Sequence, residues 1–121
     1  MNNVKNYPKI LTRFFTLQVK LISFPELEEG QCHHCGYVSF PISFLPYLNI
    51  EAINCHGGVT FDQTSDENPA LHTIGFDCAH SQDSRNPGDP AWKNYFYAEA
   101  ECRSIAQQLW EQIDNYGAEN A

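Results

Sequence analysis

Basic residues are scarce in this sequence. Lysine and arginine together number 7, against 15 aspartates and glutamates, and the formal net charge at pH 7 is -8. Because the nucleic-acid backbone is bound through Lys and Arg, this balance disfavours nucleic acid as a partner. An acidic surface of this kind serves solubility or meets a basic partner.

Long apolar runs are also absent. A transmembrane helix needs a run of about 18 or more apolar residues, and the sequence contains none. The N-terminal stretch MNNVKNYPKI has neither the apolar segment nor the small-residue cleavage site of a secretory signal. We therefore expect no membrane partner and a cytoplasmic location.

The length and composition favour one globular domain over residues 1–121. The hydrophobic fraction of 42% is sufficient for a buried core without support from metals or disulfides. We expect the polar ends, residues 1–9 and 117–121, to fray.

Four segments have strand character. Leu17, Val19 and Leu21 alternate with polar residues, which is typical of a half-buried strand within residues 10–24. Between Pro41 and Pro46 there is room only for a turn or one helical turn. The other predicted strands are residues 35–40, residues 52–61 with a glycine pair inside, and residues 71–78.

One long helix is expected at the C-terminal side. Asp89 suits an N-cap, Pro90 the first helical position and Gly117 the C-terminal stop. Between them apolar residues recur every three or four positions, at Tyr95, Ala98, Cys102, Ile105, Ala106, Leu109, Ile113 and Tyr116. The predicted fold class is therefore α+β, an antiparallel sheet of about four strands packed against one long C-terminal helix.

The cysteines raise the question of a metal. Five cysteines cannot all pair within one chain, so reduced thiols are expected. Cys32 and Cys35 have the spacing of half a zinc site, and either Cys55 with His56 or Cys78 with His80 is a candidate for the other half. Neither of these two pairs has the usual gap of two residues, so unligated thiols and no cofactor are the favoured interpretation, with zinc as the alternative.

The block HGGVTFD at 56–62 is the first candidate site. His56 precedes Gly57 and Gly58, whose backbone admits a close neighbour, and Thr60 follows. An imidazole there is able to bind a metal or an anion, or to carry protons near neutral pH. The alternative is a bulge in which the histidine bonds to the backbone.

The block GFDCAHSQD at 75–83 is the second. Asp77, His80 and Asp83 follow the fourth strand at three-residue spacing, which places them on one side of a turn. Together with His56 they are the candidate catalytic residues, as metal ligands or as an acid–base pair. Turn capping by Asp and His is the structural alternative. The predicted ligand-binding set is His56, Gly57, Gly58, Thr60, Asp77, His80 and Asp83.

Four sequence blocks occur along the chain in the order GYV, HGG-V-TF, GFDCAH-x-x-D and EC-x-x-I-A-x-QL. In this order they resemble a family of small proteins of unknown function carried by bacteriophages, prophages and other mobile elements. The resemblance covers roughly residues 35–112. The matching positions are Gly36, Tyr37, Val38, His56, Gly57, Gly58, Thr60, Phe61, Gly75, Phe76, Asp77, Cys78, Ala79, His80, Asp83, Glu101, Cys102, Ile105, Ala106, Gln108 and Leu109. It implies a mobile-element origin, a location inside a bacterial host cell, and a site at the HGG and FDCAH blocks.

The sequence departs from that family in one turn. Where relatives carry a histidine-containing turn after GYV, this chain has residues 43–47, SFLPY. A site that depended on that histidine is therefore not expected here.

Two functions are left open by the sequence. The first is a non-enzymatic binding module, a small acidic accessory protein that binds a host protein or a small ligand and counteracts host defence. The second is a small metal-dependent hydrolase or nucleotide-processing enzyme that uses the HGG and FDCAH blocks. A dimer formed through the aromatic start of the helix is a further hypothesis.

Overall fold

A computed structural model describes residues 3–24, 31–78 and 95–119. Six strands and one long helix lie in these ranges. The strands are β1 (Asn3–Asn6), β2 (Ile10–Leu11), β3 (Thr16–Phe24), β4 (Gln31–Pro41), β5 (Phe61–Thr64) and β6 (Leu71–Asp77). They form one antiparallel sheet in the order β1-β3-β4-β6-β5, with β2 paired to β3.

The helix, α1 (Tyr95–Glu119), packs on one face of this sheet. Its buried residues Ala98, Cys102, Ile105 and Leu109 follow the three- and four-residue spacing that puts side chains on one side of a helix. They meet alternate residues of the strands, because successive strand side chains point to opposite faces. The strand side of this core is formed by Leu17, Val19, Val38, Phe40, Ile74, Phe76 and the adjoining Cys78. The predicted α+β class is confirmed.

Strand alternation gives the sheet a second face, on which the described residues place no α-helix. Cys35 pairs with Lys20 on β3 and with Asp77 on β6, so these three residues stand side by side across the strands. They alternate with the core residues Val19 and Phe76. We call this surface the open face.

The predicted antiparallel sheet of about four strands is confirmed, with Asn3–Asn6 and Ile10–Leu11 as additional short strands paired to β3. The bounds of the predicted strands differ from the observed ones. The third strand is not residues 52–61: a 3₁₀ turn at Ile50–Ala52 and a loop come first, and β5 begins at Phe61. β5 also continues beyond residue 61, where the predicted strand ended, since the residues up to Thr64 pair with β6.

The segment between Pro41 and Pro46 and the two ends of the predicted helix are compared next with the structure. Ile42–Tyr47 is a six-residue 3₁₀ helix that contains Pro46, so it is longer than the turn or single helical turn expected between the prolines. Gly117 does not end α1, which continues to Glu119. The predicted start at Asp89 and Pro90 lies outside the described residues. No helix in the described ranges has both the length and the apolar character needed to cross a membrane.

Candidate functional site

The HGG block forms a tight turn beside α1. The Gly58 amide donates to the Cys55 carbonyl at 2.9 Å, and Gly57 and Gly58 have φ values of 69° and 82°. Only glycine adopts this left-handed backbone at little cost, so the pair has a conformational reason to be there. At Gly58 this backbone conformation, and not the close neighbour expected from the sequence, is the reason for glycine, because nothing lies within 4 Å of a Cβ built there.

Contacts with α1 determine where His56 points. The His56 amide donates to Glu101 Oε1 at 2.8 Å, and the imidazole Nδ1 lies 2.8 Å from the Tyr97 hydroxyl. Both partners are on the helix. The HGG block is therefore attached to α1 rather than to the open face.

The loop before this turn is held by the same helix. Gln108 accepts from the Asn54 amide at 2.8 Å and donates to the Asn54 carbonyl at 2.7 Å. Gln112 makes the same pair of bonds with Asn49, at 2.7 and 3.1 Å. These amide side chains satisfy loop backbone groups that no strand partner reaches, which is a structural role.

Asp77 lies on the other side of the sheet. It ends β6 opposite Cys35, and its Oδ2 accepts a hydrogen bond from the Thr60 hydroxyl at 3.1 Å. The structure thus brings Thr60 and Asp77 together but directs the His56 imidazole to α1. The prediction that His56 and Asp77 share one neighbourhood is corrected, because the β6 carboxylate faces away from the helix.

Asp77 lines a pocket of about 340 Å³ on the open face. His33, Cys35 and Tyr37 come from alternate positions of β4, and Thr60 and Phe61 enter from the start of β5. The Tyr37 ring meets the Phe61 ring edge-on at 5.4 Å between centroids. The Lys20 ammonium lies 5.1 Å from the centre of the Tyr37 ring, a cation–π distance. We call this group of side chains the Asp77 pocket.

Burial keeps Cys35 and Tyr37 of the Asp77 pocket protonated, and the His33 imidazole neutral, at neutral pH. Burial, with the nearby Asp77 carboxylate, raises the pKa of the Cys35 thiol to about 11. Burial also raises the pKa of Tyr37 to about 12, assisted by Cys35. Burial lowers the pKa of His33, against the opposing effect of Asp77. A thiol in this state is a poor nucleophile, since the thiolate is the reactive form.

The predicted metal ligands do not form one group in the described residues. The Cys35 thiol belongs to the open face, whereas Cys78 lies in the core beneath α1, so strand alternation separates them. The side chain of Cys32 and all of His80 and Asp83 lie outside what the structure describes. No set of three His, Cys, Asp or Glu side chains suited to a metal occurs in the described ranges.

Sequence reasoning missed the contributions of His33, Tyr37 and Lys20. The signal was present, because His33, Cys35 and Tyr37 alternate along a strand and must share a face. The motif CHHC was instead interpreted through the spacing of its cysteines, as half a zinc site. Lys20 was identifiable only from the register between β3 and β4.

Comparison of the chain with models of known protein families, with curated proteins and with solved structures found no match in any of the three. The resemblance to mobile-element proteins stays a prediction from the sequence.

Proposed function

We propose that this protein is a non-catalytic binding module and that the Asp77 pocket holds its ligand. The observation that carries the proposal is the grouping of Asp77, Thr60, His33, Cys35 and Tyr37 around one cavity on the open face. Its volume of about 340 Å³ lies within the range of small-molecule sites, roughly 300–1,000 Å³. A small ligand is therefore favoured over a host protein.

The chemistry of the pocket indicates what kind of ligand it accepts. The Asp77 carboxylate offers hydrogen-bond acceptors, and the Tyr37 and Phe61 rings offer apolar surface. Together these groups suit a flat ring that carries N–H donors, such as an aminopyrimidine. Lys20, which lies beside the Tyr37 ring, offsets the charge of the Asp77 carboxylate, so a neutral ring is expected.

The protonation states favour binding over catalysis. The raised pKa of Cys35, about 11, leaves the thiol without nucleophilic character at neutral pH. The metal-dependent hydrolase hypothesis gains no support from the described residues, because no three potential ligands are grouped there. The sequence resemblance implies that this binding module acts for a bacteriophage or another mobile element.

Two nucleosides test the ligand class. Cytidine and uridine have rings of the same size, but only cytidine presents an exocyclic N–H donor to Asp77. We expect cytidine, followed by NMR chemical-shift titration, to shift Tyr37 and Asp77 resonances and to bind at least about tenfold more tightly than uridine, a difference of about 1.4 kcal/mol. Equal affinities, or no shift with either nucleoside, would contradict the proposed ligand class.

Variants link the binding to the pocket. Asp77→Ala is expected to abolish the preference for cytidine, while Asp114→Ala, a change on the exposed side of α1, leaves it intact. Circular dichroism and a urea titration establish that both variants are folded. A preference for cytidine that survives in folded Asp77→Ala would place the ligand elsewhere and refute the site.

A further inference from the structure

A second cavity lies between the β2–β3 connection and α1, and it has a different character. Its volume is about 440 Å³. Phe15 and Ala106 contribute apolar surface from the β2–β3 connection and the helix, respectively. Phe14 and Trp110 stack at its side with ring centroids 5.3 Å apart and 16° between their planes. We call this cavity the arginine cleft, for the two side chains described next.

Arg13 and Arg103 both line this cavity, one from the segment before β3 and the other from α1. The whole chain has only 7 basic residues against 15 acidic ones. Among the described residues that line the cleft there is no aspartate or glutamate. The sign of the local charge is therefore opposite to that of the protein as a whole, which favours an anionic occupant.

Neither arginine is held in a strong ion pair within the described contacts. Arg103 Nη2 lies 3.6 Å from Glu99 Oε1, one turn away on α1, and the Arg103 side chain is 55% exposed. Exposed pairs of this kind contribute little to the stability of a helix. The Arg13 guanidinium lies 5.0 Å from the centre of the Phe14 ring, where it keeps its hydrogen-bond donors.

From this arrangement we propose that the arginine cleft binds a small organic anion with a flat apolar body. The anionic group, a carboxylate or a phosphate, is bound by Arg13 and Arg103, whose planar donors match its oxygens. The flat body lies against Trp110 and the apolar surface of the cleft. This site is separate from the Asp77 pocket and does not depend on the proposed function.

Naphthoate and naphthylmethanol test this proposal, because they share one ring system and differ in the anionic group. We expect naphthoate to shift the Trp110 indole N–H resonance in NMR spectra and to bind about tenfold more tightly than the alcohol. Added salt should weaken naphthoate binding and leave the alcohol unchanged. Equal affinity for the acid and the alcohol, or shifts confined to other residues, would overturn the proposal.

Charge variants give the second arm of the test. Arg13→Gln and Arg103→Gln are each expected to weaken naphthoate binding by about three- to tenfold. Glu99→Gln should tighten it, because the competing partner of Arg103 is removed. Lys5→Gln, which removes a positive charge outside the cleft, is the matched control and should change little. Unchanged affinity in both folded arginine variants would refute the site.

Discussion

The Cys102 thiol of α1 lies directly over Gly36 of β4. A Cβ atom built on Gly36 would come within 2.6 Å of Cys102 Sγ and within 2.4 Å of Phe76 Cε1. Real Cβ atoms do not approach heavy atoms so closely. The helix therefore rests on the sheet at a point where only glycine leaves enough space, and two of the sequence blocks, GYV and EC, meet there.

Gly36→Ala is expected to destabilise the fold by about 1–3 kcal/mol through overpacking at this contact. The measurement is the urea dependence of unfolding by circular dichroism. Gly117→Ala is the matched control, because nothing lies within 4 Å of a Cβ at Gly117 and the residue is inside α1. That control should gain roughly 0.5–1 kcal/mol from helix propensity. Equal stabilities of the two variants would contradict this packing argument.

The loop that precedes the HGG turn depends on Gln108. Gln108→Ala removes two bonds to the Asn54 backbone and is expected to cost about 0.5–1.5 kcal/mol, at the low end because both bonds are exposed. Gln107→Ala is the control, since the Gln107 amide donates to Glu111 of the same helix and, within the described residues, makes no hydrogen bond to the loop. Hydrogen exchange at the Asn54 amide gives a local readout. Protection that is the same in both variants would rule out this role of Gln108.

Substitutions at Gly58 test the effect of backbone strain separately from that of steric crowding by neighbouring atoms. Its φ is 82° and nothing lies within 4 Å of a built Cβ, so the cost of a side chain arises from the backbone alone. We expect Gly58→Ala to destabilise the protein by about 1–2 kcal/mol. Gly58→Asn should cost less, because asparagine tolerates this conformation. Thermal unfolding of both variants measures the difference, and an asparagine variant less stable than the alanine variant would contradict the prediction.

The buried thiols predict a loss of stability in alkali. Burial raises the pKa of Cys35 from 9.0 to about 11 and that of Cys102 from 9.0 to about 12. Above pH 9 the folded state therefore holds more protons than the unfolded state, and stability falls as pH increases. This contribution is complete below pH 9 and is lost as pH rises toward 11 and 12.

Urea titrations across that alkaline range measure the effect. Cys102→Ala removes one of the shifted groups, so the decline of unfolding free energy with pH should be shallower in this variant. Because alanine is smaller, its stability below pH 9 should also be lower. A decline as steep as that of the unaltered protein would show that Cys102 does not contribute to the pH dependence.

The parts of the fold with a clear period were predictable from sequence. Leu17, Val19 and Leu21 alternate over a long enough stretch to identify β3, and the stripe from Ala98 to Leu109 identified α1. β1 was missed because Asn3–Asn6 is polar and exposed, so its pairing with β3 leaves no apolar pattern. β5 was misplaced for the same reason: only Phe61 in it is partly buried.

The candidate site was predictable only in part. The sequence identified Thr60 and Asp77, which do meet, because both flank apolar strand residues. It joined His56 to them on the assumption that residues 52–61 form a strand. A turn with two left-handed glycines replaces that strand, and no local pattern shows which way such a turn directs its imidazole.

The position of α1 in the chain has a consequence for synthesis on the ribosome. All six described strands precede α1, yet Ala98, Cys102, Ile105 and Leu109 cover the apolar face that those strands share. The apolar face of the sheet is therefore still uncovered when the strands leave the ribosome. Folding cannot be completed until the segment after Tyr95 has been translated. Nascent chains stalled before that segment should be captured by chaperones, and chains extended by a C-terminal linker, so that α1 has left the ribosome, should be released.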